Sequence, residues 1–202
     1  GYTIQPYSPK AGTGLSSHEL NQPGTYQDIT DTTVVAQFKA VKESLPTFLK
    51  EVDGEIHFLA WTTTPWTLPS NTALTVGKKI DYVLIKTFNQ YTFESIQVIL
   101  AKNLVEKQFA GKFEEVETKT ALLNYKQTDK KIPFVFLKEF KGVDILESSY
   151  EQLLTYALPY DHPENAFRVI SGDFVTTEDG TGIVHTAPTF GADDAMVAKQ
   201  AV

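Results

Sequence analysis

Trp61-Thr62-Thr63-Thr64-Pro65-Trp66-Thr67-Leu68-Pro69-Ser70-Asn71 is the stretch on which the reading of this chain turns. It follows a β-like run, Ile56-His57-Phe58-Leu59-Ala60-Trp61, that is itself announced by the turn signal Asp53-Gly54. Three consecutive threonines cannot all face one side of a strand. Pro65 removes a backbone donor and pushes Thr64 toward an extended conformation. The segment is therefore expected to leave the strand as a rigid turn with its hydroxyls exposed. Each hydroxyl both donates and accepts, so such a turn suits a small polar group, a ribose hydroxyl or a water. Read by itself it is equally a Thr-rich edge strand that ends in a proline turn.

The surroundings are β-rich. Val34–Phe38, Ala73–Val76, Tyr82–Ile85, Gln97–Ala101, Phe134–Leu137, Phe167–Ile170 and Gly182–His185 read as short strands. Asn103–Phe109 reads as a short helix, and Asp193–Val202 as a helix opened by two acids, which suits the positive end of the helix dipole. Glu147–Leu158 fits neither pattern. Strands of this kind without a regular strand–helix alternation predict an α+β, predominantly β fold: a curved sheet or β-barrel core with a few peripheral helices. Residues 1–32, rich in Pro, Gly, Ser and Asn, read as an irregular lead-in segment; 33–202 form one domain, with a hairpin-rich elaboration around 111–166.

The chain has 202 residues, of which 42% are hydrophobic and 21% charged, and this excludes a disordered tail, a fibre and a coiled coil. No apolar run approaches a membrane span, so no membrane partner is expected. The opening residues carry no basic and no apolar segment, so no signal peptide is expected, and the termini read as those of a piece excised from a larger body. Absence of Cys excludes disulfides, Cys-ligated zinc and a Cys nucleophile. A net charge of −7 excludes a broad basic surface for nucleic acid. Any contact with RNA must be small and local.

A second constellation lies far along the chain, at Glu178-Asp179-Gly180-Thr181-Gly182-Ile183-Val184-His185-Thr186-Ala187-Pro188-Thr189-Phe190-Gly191-Ala192-Asp193-Asp194. A glycine-punctuated turn leads into a strand ending at His185. A Pro/Gly loop then leads to the helix that begins with Asp193 and Asp194. His at a strand end and Asp at a helix start can share a pocket, where a carboxylate holds an ammonium group. Taken singly, His185 reads equally as a packed histidine and Asp194 as a helix cap. No metal site is expected, because two adjacent acids on a helix diverge and no second His is near. No Gly-x-Ser-x-Gly elbow occurs, and Gly180-Thr181-Gly182 lacks the spacing of a nucleotide-binding loop. His18, His57 and His162 read as structural.

Together the two segments resemble one family. "WTTTPWTLPSN" at 61–71 is similar to the threonine-rich signature of the inserted editing domain (connective peptide 1) of isoleucyl-tRNA synthetases. "GTGIVHTAPTFGADD" at 180–194 resembles that domain's second signature. Tyr7-Ser8-Pro9 through Gly14–Leu20, Val98–Ala101 and Phe140-Lys141-Gly142 also fit, so the resemblance covers nearly the whole chain. The first motif is specific: valyl and leucyl relatives keep its Thr-Pro but not its Trp-Thr-Leu-Pro. Pro188-Thr189-Phe190-Gly191 departs from the Pro-Gly-His-Gly of many bacterial enzymes and is closer to the eukaryote-like branch. The His-Ile-Gly-His and Lys-Met-Ser-Lys-Ser signatures of aminoacylation are absent.

The resemblance implies an aminoacyl-tRNA ester hydrolase that edits Val-tRNA(Ile) after transfer and excludes Ile, as a second sieve. Valine and isoleucine differ by one methylene, and this pair is the standard illustration of how little binding alone can discriminate. The implied catalytic set is Thr62, Thr63, Thr64, His185 and Asp194. Trp66, Thr67, Asn71, Asp194 and His185 are implied in substrate binding. Asp194 would anchor the α-ammonium, while His185 would line the side-chain pocket rather than act as general base. The water would be activated by position and by the substrate's own ribose hydroxyl. The implied partners are the 3′ aminoacylated end of tRNA(Ile), with valine misattached, and the rest of the parent synthetase, in the cytoplasm. No cofactor is implied in this domain; ATP and zinc would belong to other parts of the parent. An aminoacyl-adenosine binding module, or a structural insertion without significant hydrolysis, are the alternatives.

Overall fold

The apolar runs Tyr82–Ile85 and Val98–Ala101 have no polar alternation, and in the fold both faces of these strands are covered. Such runs belong in the middle of a sheet. The computed structural model describes residues 5–26 and 32–200. They fall into two units, Gly1–Thr32 and Thr33–Val202.

In the first unit, β1 (Tyr7–Ser8) pairs antiparallel with β2 (Thr13–Gly14). Helix α1 (Ser17–Leu20) follows, closed by a reciprocal cap in which the Ser16 hydroxyl accepts from the Glu19 amide and the Glu19 carboxylate accepts from the Ser16 amide. The irregular lead-in expected here thus contains a two-residue strand pair and one capped turn, because Ser16 and Glu19 carry the capping spacing. The part of that expectation that falls on 1–4 and 27–31 lies outside the described residues.

The second unit is one mixed sheet. Its strands are β3 (Val34–Lys39), β4 (His57–Thr62), β5 (Ala73–Val76), β6 (Asp81–Phe88), β7 (Ser95–Ala101), β8 (Phe113–Glu115), β9 (Ile132–Lys141), β10 (Arg168–Ser171) and β11 (Ile183–Thr186). The path runs β10-β5-β11-β4-β7-β6-β9-β8, with β3 on β4 off that path. Of the two forms expected, curved sheet or barrel, the sheet is open and curved: no pairing joins β10 to β8 among the described residues. β4 is the fork. It pairs antiparallel with β3 along its whole length, parallel with β7 at His57 and Phe58, and parallel with β11 at Trp61.

The larger core lies on one face, around Phe38, Phe58, Leu74, Tyr82, Leu84, Ile99 and Ile183, and is closed by Leu45 and by Leu49 of α2 (Thr47–Lys50). The opposite face carries Leu59, Val83, Ile85, Val98 and Leu100 under Val105 and Phe109 of α3 (Val105–Phe109). Adjacent residues of β6 and β7 feed opposite cores, as the period of two requires. Tyr82 ties the strands together: its hydroxyl donates to the Gly182 carbonyl at 2.6 Å and accepts from the Gly77 amide at 3.1 Å.

The hairpins expected within 111–166 are replaced by a parallel pair. β8 runs parallel to β9 and reaches it through α4 (Lys119–Leu122). Parallel neighbours need a crossover, and the Lys/Glu-rich stretch supplies one. The ambiguous Glu147–Leu158 forms neither helix nor ladder, and makes only single bridges, Ala40 to Tyr150 and Ser149 to Arg168. The last helix, α5, spans Ala192–Gln200 and opens with the two acids; residues 201 and 202, expected to continue it, lie outside the described residues.

Candidate functional site

The Thr-rich segment leaves β4 as a 3₁₀ turn, Pro65–Ser70, with Pro65 in its first position and Thr64 at φ −122°, ψ 65°. That is where proline is tolerated, since no amide hydrogen is needed there. The hydroxyls then stack. The Thr62 hydroxyl accepts from the Thr64 amide at 3.0 Å and lies 3.3 Å from the Thr64 hydroxyl. Thr64 and Thr67 hydroxyls are 3.4 Å apart, and Thr67 donates to the Thr64 carbonyl at 2.8 Å. Thr62 and Thr67 are buried, whereas Thr63, Thr64 and Trp66 face outward. Thr63 and Trp66 take no part in the hydroxyl stack.

His185 reaches this turn from β11. The strand lies between β5 and β4, with His185 opposite Leu74 and Val184 opposite Trp61. Its Nε2 is 3.0 Å from the Thr67 hydroxyl and its Nδ1 is 2.8 Å from the Asn71 amide nitrogen. Asn71 closes the 3₁₀ turn, and its amide nitrogen also donates to the Ala73 carbonyl at 2.9 Å. Burial drives the His185 pKa down to about 4, so the ring is neutral at physiological pH. A neutral ring whose Nδ1 lone pair is occupied by an amide donor is a poor general base. Both ring nitrogens are engaged, so the ring is held in one orientation.

Asp194 meets this region through Ala187, two residues beyond His185. Its Oδ2 accepts the Ala187 amide at 2.8 Å, which closes the Pro188–Gly191 loop. Burial pushes the carboxyl pKa up, and the neighbouring Asp193 adds to that, while the Ala187 amide acts against it. Among the described residues no partner engages its Oδ1. Asp193 is exposed. No cluster of three or more His, Asp or Glu that could hold a metal occurs among the described residues.

One residue of this network was missed by the sequence reading. The Tyr150 hydroxyl donates to Asn71 Oδ1 at 2.6 Å, and the side chain is 2% exposed. Tyr150 sits in the stretch that fits no period. Only its being an aromatic among polar neighbours marked it.

No protein-family model matches the chain. Among solved structures, the leucyl-tRNA synthetase CP1 structure GlLeuRS-CP1 is similar with a TM-score of 0.56 at 18% identity, over 84% of this chain and 59% of that one. The editing domain of P. knowlesi cytosolic leucyl-tRNA synthetase gives a TM-score of 0.57 at 12% identity, over 81% and 60%. The fold is that of the class I synthetase editing domains.

By sequence, all 202 residues are 61% identical to isoleucine–tRNA ligase of Cytophaga hutchinsonii. The corresponding enzyme of Bacteroides fragilis is 60% identical over 201 residues, which covers 100% of this chain. That of Clostridium tetani is 43% identical over 200 residues, or 99% of this chain. The chain spans 17% of the length of the first two relatives and 15% of the third. Along its whole length the chain thus matches one segment of isoleucine–tRNA ligases, and that segment has the editing-domain fold. No helix among the described residues is long and apolar enough to cross a membrane.

Proposed function

We propose that this chain hydrolyses the ester of valine misattached to tRNA(Ile) and spares the isoleucyl ester. The observation that carries the reading is the junction of the two signatures: His185 of the second lies between Thr67 and Asn71 of the first, at 3.0 and 2.8 Å, on the turn whose Thr63, Thr64 and Trp66 are exposed.

The roles follow from the chemistry. The α-ammonium of the amino acid meets the open oxygen of Asp194, and its charge keeps that carboxyl ionised against the effect of burial. Hydroxyls of Thr62, Thr63, Thr64 and Thr67 hold the ester, the ribose hydroxyls and a water. Trp66 lies against the bound end, and Asn71 keeps the turn and His185 in register. Water adds to the ester carbonyl, the ribose oxygen departs with a proton, and free valine and deacylated tRNA remain. The adjacent ribose hydroxyl assists in place of a protein base. Positioning and hydrogen-bond donors supply the acceleration. The reading assigns no cofactor and no metal to the step; ATP chemistry belongs to segments beyond these 202 residues. With a net charge of −7 this chain does not attract a phosphate backbone broadly, so the tRNA is gripped by the rest of the parent synthetase, in the cytoplasm.

The test is hydrolysis of Val-tRNA(Ile) and Ile-tRNA(Ile) at high concentration of the chain, with Asp194→Asn alongside. Faster loss of the valyl ester, abolished by the substitution, supports the reading. Binding of a nonhydrolysable valyl-adenosine analogue without hydrolysis of either ester overturns it in favour of a binding module.

A further inference from the structure

The hydrogen bonds between Tyr150 and the Thr turn all run in one sense. The Ala73 carbonyl only accepts, so the Asn71 amide nitrogen must face it, and the same nitrogen then donates to His185 Nδ1. This leaves Oδ1 toward Tyr150, whose hydroxyl donates to it at 2.6 Å. With Nδ1 accepting, a neutral His185 carries its hydrogen on Nε2 and donates it to the Thr67 hydroxyl. Thr67 spends its own hydrogen on the Thr64 carbonyl. Each donor in the chain from Tyr150 to Thr64 has one acceptor.

The fold places Tyr150 with unusual backbone. Its amide donates to the Phe167 carbonyl at 2.9 Å, and its ring packs edge-on against Phe38 and Phe167, with centroids at 5.3 and 6.1 Å. Phe167 has φ 61° and Glu147, three residues before Tyr150, has φ 63°. Side chains of this kind rarely adopt that region, and such residues concentrate where a site must be held in place. The Phe167 amide in turn donates to the Thr72 carbonyl, directly between Asn71 and Ala73.

We propose that Tyr150 is a positioning residue of this site. Through Asn71 it holds His185 in the Nε2-protonated tautomer, and so fixes both the direction of the Thr67 hydroxyl and the orientation of the imidazole ring. The tautomer stands on the geometry alone, while its effect on discrimination rests on the proposed editing function. In Tyr150→Phe the ring packing remains, but buried Asn71 Oδ1 loses its donor, the amide rotates more freely, and His185 gains access to the Nδ1-protonated form.

The experiment is ¹⁵N–¹H correlation of the imidazole nitrogens in the ¹⁵N-histidine-labelled chain at pH 7, with valyl and isoleucyl ester hydrolysis measured on the same samples. The expected result is a single Nε2-protonated His185 in the unaltered chain and a mixture of tautomers in Tyr150→Phe. The variant's kcat on the valyl ester is expected to fall about tenfold, about what one hydrogen bond left unmade costs, with KM little changed and the valyl preference narrowed. An Nδ1-protonated His185 in the unaltered chain overturns the proposal. So does an unchanged tautomer and rate in a folded Tyr150→Phe. Should that variant fail to fold, Asn71→Asp asks the same question one link on, because its carboxylate accepts from the ring and must move the hydrogen to Nδ1; a ring left unchanged there also overturns it. Absence of hydrolysis by the unaltered chain defeats the proposed function while leaving the tautomer result standing, so the two failures are distinct.

Discussion

Asp194, in the first turn of the last helix, accepts the amide of Ala187 at 2.8 Å and so ties that helix to the end of the strand that carries His185. One oxygen is structural and the other is open. Two substitutions separate these uses. Asp194→Asn keeps an oxygen for Ala187, so urea unfolding should change little, while valyl ester hydrolysis should drop at least about thirtyfold for want of a charged partner to the ammonium. Asp194→Ala should in addition lose about 1–2 kcal/mol of stability, because a half-buried charge-assisted bond is gone.

Thr67→Val keeps shape and removes the hydroxyl that receives the His185 Nε2 hydrogen. The ring is 7% exposed and water does not replace that partner. A loss of about 1–3 kcal/mol in urea unfolding at pH 7 is expected. Thr64→Val, at an exposed residue whose hydroxyl makes only the long 3.3 and 3.4 Å contacts, should cost well under half of that, which makes it the matched control.

Acid should weaken the fold in a defined window. The folded His185 pKa is about 4 against an ordinary value of 6.5, so between those values the unfolded chain binds a proton that the folded chain refuses. The histidine costs nothing above pH 6.5, and stability falls as pH drops from there toward 4, by about 3 kcal/mol at the limit. His57, whose pKa burial also lowers, acts in the same direction. Urea midpoints at pH 7 and 5 for the unaltered chain and for His185→Gln should show a smaller acid loss in the variant. An equal loss in both would refute the assignment.

Gly182 marks a close approach of the second signature to the end of β7. It has φ +72°, and a Cβ there would stand 2.4 Å from the Ala101 Cβ. Gly182→Ala should cost more than about 2 kcal/mol, combining backbone strain with overpacking. Gly111 also has a positive φ, +81°, but open space around it, so Gly111→Ala should show the strain alone, about 1 kcal/mol.

How much of this was legible depends on the range over which each residue acts. Tyr82–Ile85 and Gln97–Ala101 were legible as strands from their apolar runs, and the sheet order adds that both are central, where a strand buried on both faces needs no polar alternation. Thr64-Pro65 announced the break after β4 because proline acts on its immediate neighbour. The capping pair Ser16 and Glu19 was equally local and was passed over within a segment that looked irregular as a whole. Parallel pairing of β8 with β9 was not legible, since the spacing of charged residues there carries no sign of strand direction. Thr67, Asn71 and His185 were visible as a motif, but their partner Tyr150 is 79 residues from Asn71 and is delivered by left-handed backbone at Glu147 and Phe167. Nothing periodic encodes that delivery.

The strand order has a further consequence. β4, β5 and β11 carry the site, and β8 lies at the other end of the sheet, beyond β7, β6 and β9. Four strand spacings put that end about 20 Å from β4. The excursion from Lys112 to Lys131 can therefore be trimmed, extended or redecorated at little cost to the chemistry. It is the rim on which a descendant of this chain is free to change size.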